Sequence, residues 1–281
     1  MLIVAGCTEV ATGAQKPSED RWGFISGSSV VAVVADGVTQ PKDRNGIYPT
    51  DASRAADIVV RGIIEAGESG NLAVAIGVAN ERIRAHNEAV ARFAVTDWNY
   101  CDRICTTAVV ARAREQHDGV SFEVVSIGNS VALVLETDAI RSFSRDQLFP
   151  CHKYGHGRFQ TKADRLAWQR GIVRNNRTLC DNGTSLGFGV LDGNPDASYF
   201  IETMTGFFPT GTLVVLASDA IRVLNTAPHP DYPDGYRELL AMASEQAGDL
   251  ASRIVYRIRQ RERELGARSD DATVVVIESC R

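Results

Sequence analysis

Lysine is nearly missing from this chain of 281 residues. It stands only at Lys16, Lys42, Lys153 and Lys162, and arginine supplies the rest of the 30 basic side chains. Acidic side chains number 35, so the net charge is -5 and the pI lies near 5.6. Such a chain lacks the electrostatic footprint of a nucleic-acid binder, and the arginine bias reads as genome composition. No apolar run reaches the ~20 residues that span a bilayer, so no membrane partner is expected. The cysteines at 7, 101, 105, 151, 180 and 280 contain no Cys-x-x-Cys pair. A chain of this length needs no disulfide staples, so reduced thiols and a cytoplasmic location are expected. Repeats, low-complexity tracts and linkers are also lacking. With 44% hydrophobic residues, the expectation is one domain spanning 1–281 around a sizeable core.

What is present centres on residues 30–40. Val30-Val31-Ala32-Val33-Val34-Ala35 is an uncharged, β-branched run that reads as a buried strand, and it ends on Asp36-Gly37. A carboxylate at the edge of a core is costly unless it is paired or holds a metal. A glycine after it lets the backbone turn and leaves its carbonyl free to face an ion. Taken alone, Asp36-Gly37 is equally an ordinary turn. The pattern recurs, however. Residues 213–219 run an apolar strand into Asp219, and residues 269–277 run Asp270-Asp271 into an apolar strand. Ser18-Glu19-Asp20 precedes the short strand-like run Trp22-Gly23-Phe24-Ile25. Acids at four strand ends, far apart in sequence, can converge on one rim if the strands share a core. All-oxygen sites of that kind suit hard cations such as Mg²⁺ and Mn²⁺.

Between these points the chain reads as strand, two helices, a set of strands, two helices and a last strand. Thr50 or Asp51 caps a helix whose apolar face is Ala55, Ala56, Val59, Val60, Ile63 and Ile64. Gly67 and Gly70 break it, and Asn71 opens a second helix carrying Leu72, Ile76, Ala79, Ile83, Val90 and Phe93. Strands at 105–112, 121–127, 131–136 and 139–143 form an antiparallel meander by pattern, with turns at Asp118-Gly119 and Thr137-Asp138. Residues 145–183 are basic, polar and rich in Gly and His. Cys151, His152 and His156 lack a fourth ligand at a recognised zinc spacing, so this segment reads as a surface insertion. Residues 184–192 and 198–202 lead into the strand at 213, and helices at 236–246 and 249–265 precede the last strand. So many strands cannot be covered by these helices in one sheet. The fold class expected is α+β, a four-layer α-β-β-α sandwich of two stacked, mainly antiparallel sheets flanked by helix pairs.

Six short motifs then carry a resemblance. They are Glu19-Asp20, Val34-Ala35-Asp36-Gly37, Thr106-Thr107-Ala108, Ile127-Gly128-Asn129-Ser130, Ala217-Ser218-Asp219 and Asp270-Asp271-Ala272-Thr273-Val274. In this order and at about this spacing, the chain resembles the metal-dependent type 2C serine/threonine protein phosphatases, as a divergent bacterial-like member. The resemblance implies the same four-layer fold, with 145–183 in the place of the family's flap. It implies hydrolysis of phosphoserine or phosphothreonine in proteins by water bridging two Mg²⁺ or Mn²⁺ ions. On that implication Asp36 bridges both metals, the Gly37 carbonyl binds one, and Asp219 and Asp270 complete the other. Glu19 would hold metal-bound water and Asp20 would orient the cluster. The partner implied is a phosphorylated protein, a kinase or a kinase target.

The chain also departs from the family pattern. The arginine that grips phosphate four residues before the glutamate is replaced by Gln15, beside Lys16, so these two are the phosphate-binding candidates. An ammonium is a point charge and lacks the guanidinium's fork. An arginine from residues 145–183, such as Arg158 or Arg165, could fill the gap from another direction. The aspartate that can bind a third, weaker ion is Asn129, and the glycine after Asp219 is Ala220. These departures leave an alternative: a weak or inactive phosphatase-fold module that serves as a regulatory binding partner.

Overall fold

The structure is a computed structural model that describes residues 1–14, 17–38, 49–68, 70–91, 103–245, 249–267 and 270–280. Two five-stranded sheets form its centre, and every pairing within them is antiparallel. In chain order the strands are β1 (Leu2–Glu9), β2 (Arg21–Ser26), β3 (Val30–Gly37), β4 (Thr106–Gln116), β5 (Gly119–Ile127), β6 (Val131–Leu135) and β7 (Ile140–Ser142). There follow a two-residue hairpin, β8 (Cys180–Asp181) and β9 (Thr184–Ser185), then β10 (Glu202–Phe208), β11 (Leu213–Ala217) and β12 (Ala272–Ser279). One sheet has the order β1-β12-β11-β6-β7 and the other β10-β5-β4-β3-β2.

Side chains alternate between the two faces of a strand. In β3, Val30, Ala32 and Val34 enter the core between the sheets, with Val109, Val124, Val134, Leu216 and Val275. Val31, Val33 and Ala35 point the other way, onto helices α1 (Asp51–Ala66) and α2 (Leu72–Ala91). In the second sheet, Leu133, Val215, Val274 and Val276 pack against α5 (Glu238–Glu245) and α6 (Leu250–Leu265) through Leu239, Ile254 and Ile258. The central strands are thus buried on both faces, which is why they read as continuous apolar runs rather than alternating ones. This is the expected four-layer arrangement.

Helix entry follows local chemistry. The Thr50 side chain accepts from Ser53 N, and the Asn71 side chain accepts from Val74 N, satisfying otherwise orphaned amides. Gly67, at φ 70°, ends α1 in a conformation that disfavours side chains. Val90 and Phe93 lie where side chains are outside the described residues, so that end of the second helix's face is left open.

Three expected elements differ. Residues 195–200 form a 3₁₀ turn in which Asn194 caps Asp196 N, so the strand begins only at Glu202. Pro233–Tyr236 is likewise a 3₁₀ turn, placing the start of α5 after it. The segment at 145–183 is more than surface. It folds into α3 (Phe149–Gly155), α4 (Lys162–Trp168) and a π-helical turn at Gln169–Val173. Cys151 and Val173 from this segment are buried against Cys105, Leu186, Phe188 and Val190. Aromatic residues explain the difference, because Tyr154 and Phe159 both pack on Trp168, and Tyr154 and Trp168 pack in turn on that shared cluster.

Candidate functional site

Antiparallel pairing sorts strand ends onto rims. The register matches Glu9 with Ala272, Ala217 with Val274, and Ala217 with Val131 in one sheet. In the other it matches Arg21 with Ala35, Asp36 with Thr107, and Ala108 with Ile127. The acids that flank these ends, Glu19, Asp20, Asp36, Asp219, Asp270 and Asp271, therefore meet at one rim although about 250 positions of sequence separate the first from the last.

The local structure of the rim is held by backbone contacts. Asp36 O accepts from Thr106 Oγ1 at 2.6 Å, and Val38 N donates to Cys105 O at 3.0 Å. Gly37 is close-packed: a Cβ there would lie 2.7 Å from Ala52 O and 2.8 Å from Glu19 O. Only glycine lets α1 and the 18–20 turn approach this closely. That turn is fixed by Arg21, whose Nη1 donates to Ser18 O at 2.7 Å and Asp20 O at 2.6 Å.

Asp271 has a structural task that its position in the sequence did not disclose. Its Oδ1 accepts from Ala11 N at 2.9 Å and its Oδ2 from Glu19 N at 2.6 Å. It thereby ties the ends of the 11–19 loop to the start of β12. Arg259 of α6 completes the tie. Its Nη1 donates to Asp270 O at 2.7 Å and Glu262 Oε2 at 2.8 Å, and its Nη2 donates to Glu9 O at 2.8 Å. Sequence reading places Arg259 simply on a helix; an arginine beside Ile258 and four residues after Val255, on the apolar face of that helix, is the available signal.

The electrostatics are those of crowded like charges. Burial, then repulsion from Asp271, pushes the Asp20 carboxyl up to about 8. Burial, then repulsion from Asp20, Asp219 and Asp270, holds Asp36 well above the usual carboxylate range. Asp219 is pushed up to about 6 by burial and by Asp270, against the opposing pull of Arg222 and of a hydrogen bond from Asn129. Oδ2 of Asp20 is buried with no hydrogen-bond partner among the described residues. An orphaned buried carboxylate oxygen amid other carboxylates calls for a cation.

The donor set fits hard divalent cations: several carboxylates and the Gly37 carbonyl, all oxygen. Among the described residues no three His, Cys, Asp or Glu side chains are gathered as a ready ligand shell. Asp219 Oδ2 accepts from Asn129 Nδ2 at 2.6 Å. Asn129 is thus a hydrogen-bond donor to Asp219. Gln15 and Lys16 lie outside the described residues. Arg158, a candidate for the missing phosphate cation, lies over the Tyr154 ring within the 145–183 segment. Cys7, Cys105, Cys151, Cys180 and Cys280 are free thiols.

No family model and no curated protein matches the sequence. Solved structures do match over the full length. The catalytic domain of the serine/threonine protein phosphatase PstP, in complex with two manganese ions, superposes with a TM-score of 0.64 at 15% identity, covering 100% of this chain and 99% of that one. Stp1 from Staphylococcus aureus gives 0.63 at 15% identity over 99% and 95% of the chains. PppA of Pseudomonas aeruginosa gives 0.62 at 15% over 99% and 97%. The chain has the fold of these serine/threonine phosphatases. Among the described residues no helix is long and apolar enough to cross a membrane.

Proposed function

We propose that the chain is a metal-dependent phosphatase acting on phosphoserine and phosphothreonine in a protein substrate, itself a kinase or a kinase target. The observation that carries this reading is the convergence of Asp20, Asp36, Asp219, Asp270 and Asp271, whose carboxyls repel one another at a single rim. Two Mg²⁺ or Mn²⁺ ions bound there would supply Lewis-acid stabilisation of the phosphoryl oxygens and activation of water. Asp36 and the Gly37 carbonyl, at the end of β3, are the central ligands. Asp219 and Asp270 extend the ligand set from the second sheet. Glu19 would hold metal-bound water, and Asp20 would orient the cluster. Gln15 and Lys16 are the positions assigned to the phosphate itself, with no forked guanidinium between them.

One observation favours a second reading, a phosphatase-fold module that binds partners with little turnover. Asn129 already occupies an oxygen of Asp219. One assay separates the two: hydrolysis of a phosphothreonine peptide with Mn²⁺, with Mg²⁺ and with EDTA. The enzyme reading requires turnover that depends on the metal and vanishes in EDTA. Metal binding without turnover supports the module, and equal turnover in EDTA overturns both.

A further inference from the structure

Arg222 sits on the 3₁₀ turn Asp219–Leu224, three residues after Asp219. Residues i and i+3 eclipse in a 3₁₀ turn, so Asp219 and Arg222 leave it on the same side. The guanidinium is then fixed by hydrogen bonds. Nη2 and Nε donate to Asn129 O at 2.9 and 3.3 Å, and Nη1 lies 3.5 Å from Asp146 Oδ2. Its side chain is 17% exposed and that of Asp146 only 11%. Asp146 is pinned in turn, because its Oδ1 accepts from Leu148 N and Phe149 N and its own N donates to Asp231 Oδ1. Asn129 closes the chain by donating from Nδ2 to Asp219 Oδ2 at 2.6 Å. An amide can meet a carboxylate only through its NH₂, so this orientation follows from the chemistry.

We propose that the Asn129–Arg222–Asp146 chain is a built-in counter-ion for Asp219, one that competes with a divalent cation for that carboxylate. The inference deepens the metal-dependent reading above and rests on it. Its logic is electrostatic. A fixed guanidinium on the same side of the turn as a carboxylate, linked to it through Asn129, stabilises the metal-free rim and repels an incoming divalent cation. Asp146 carries the opposite sign and lies against the guanidinium, 3.5 Å from Arg222 Nη1. Removing the arginine and removing the aspartate must therefore act in opposite directions, which no merely structural tether would do. The chain also joins the rim to the root of the 145–183 segment, since Gln147 N donates to Gly128 O and Gln147 Oε1 accepts from Gly128 N and Gly189 N. Movement of that segment would thus change the charge seen by Asp219.

The test is Mn²⁺ binding by calorimetry to Arg222→Gln and Asp146→Asn, with unfolding in EDTA measured in parallel. Asparagine at 146 keeps an acceptor for Leu148 N and Phe149 N. Arg222→Gln should bind Mn²⁺ roughly fivefold more tightly and Asp146→Asn several-fold more weakly, for a unit charge acting across a partly hydrated gap. Arg222→Lys keeps the charge and should stay within about twofold of the parent. Weaker binding in both Arg222→Gln and Asp146→Asn would make Arg222 a tether only and overturn the proposal. In EDTA, a double-mutant cycle of Arg222→Gln with Asp219→Asn should show a favourable coupling of about fivefold in the folding constant. Zero coupling there overturns the proposal whatever the metal does. If the parent chain binds no Mn²⁺ at all, the metal-dependent reading fails, and the EDTA cycle still decides whether Arg222 is the counter-ion.

Discussion

Replacing Arg259 with methionine is the sharpest single test of how the acid rim is held. The side chain is 4% exposed, and its partners include Glu262 Oε2 at 2.8 Å, Asp270 O at 2.7 Å, Glu9 O at 2.8 Å and Val10 O at 3.2 Å. Methionine keeps most of the apolar stem and removes every donor. The Glu262 carboxylate, 6% exposed, loses its counter-charge. Breaking one side of a buried ion pair costs about 3–5 kcal/mol, most of it from the charge left behind. At roughly 2–4 °C per kcal/mol for a domain of this general size, the midpoint of thermal unfolding should fall by about 10 °C. Replacing both Arg259 and Glu262 with methionine removes the stranded charge, so most of that loss should return. Mn²⁺ affinity should stay low in both variants, because Asp270 O and Glu9 O have lost their common donor either way. Chemical denaturation and calorimetry on the same samples separate the two effects. The reasoning is refuted if the single variant loses under about 1 kcal/mol, or if the double variant is as unstable as the single one.

Asp36→Ala should abolish Mn²⁺ binding and nearly all turnover, whereas Asp219→Ala and Asp270→Ala should regain part of their activity in excess Mn²⁺; unchanged calorimetry for Asp36→Ala would contradict the ligand assignment. The metal-free protein should lose stability as pH rises from about 4 towards 8. Asp20 and Asp219 have folded-state values of about 8 and about 6 against 3.8 in the unfolded chain, so over that window the folded state holds protons that the unfolded state has released. Saturating Mn²⁺ should flatten this slope in urea titrations at fixed pH, and an identical slope with and without metal would count against a metal at these groups. Burial pushes the Cys151 thiol up to about 11, so at pH 8 mass spectrometry should find exposed Cys180 alkylated well before Cys151. Gln15→Arg should lower KM for a phosphothreonine peptide about tenfold if position 15 meets the phosphate through a charge-assisted fork, and an unmoved KM would place phosphate recognition elsewhere.

The layered fold was legible because its signals are long and redundant. Val31, Ala32 and Val33 read as one apolar run only because both faces of β3 are covered, Val31 and Val33 on the helix side and Ala32 between the sheets. Thr50 and Asn71 announced their helices by capping chemistry alone. The acids at strand ends were legible too, since Asp36, Asp219 and Asp270 each sit beside an apolar run whose direction fixes which end faces the rim. What escaped were particular side-chain contacts between elements. Asp271 looks like a polar strand start until Ala11 N and Glu19 N are seen to donate to it. Arg222 and Arg259 look like solvated helix charges until their partners in other elements appear. In the 145–183 segment, expected as a surface insertion, the packing of Tyr154 and Phe159 on Trp168 was not legible, because its apolar residues are aromatic, scattered and few, with neither helical nor strand period.

These arginines explain how the chain can fold before any cation arrives. Antiparallel pairing forces the acids together, and each buried carboxylate there raises the cost of ionising the next. A rim of that kind opposes folding unless fixed positive charge stands close by. Arg259 is buried on the β1–β12 side, where it pairs with Glu262 and holds the backbone of Asp270 and Glu9. Arg222 supplies positive charge on the β11–β6 side, where part of the guanidinium still meets solvent. Between them lie Asp20 and Asp36. The charges that act most strongly on these two are other carboxylates, whereas Asp219 feels Arg222 as well. The orphaned oxygen of Asp20 lies in the same gap. Asp20 and Asp36 therefore carry the least compensated part of the rim, and on the proposed metal-dependent reading they are where a cation would bind. Selectivity for where a metal sits then follows from where the fold has placed its own positive charge and where it has not.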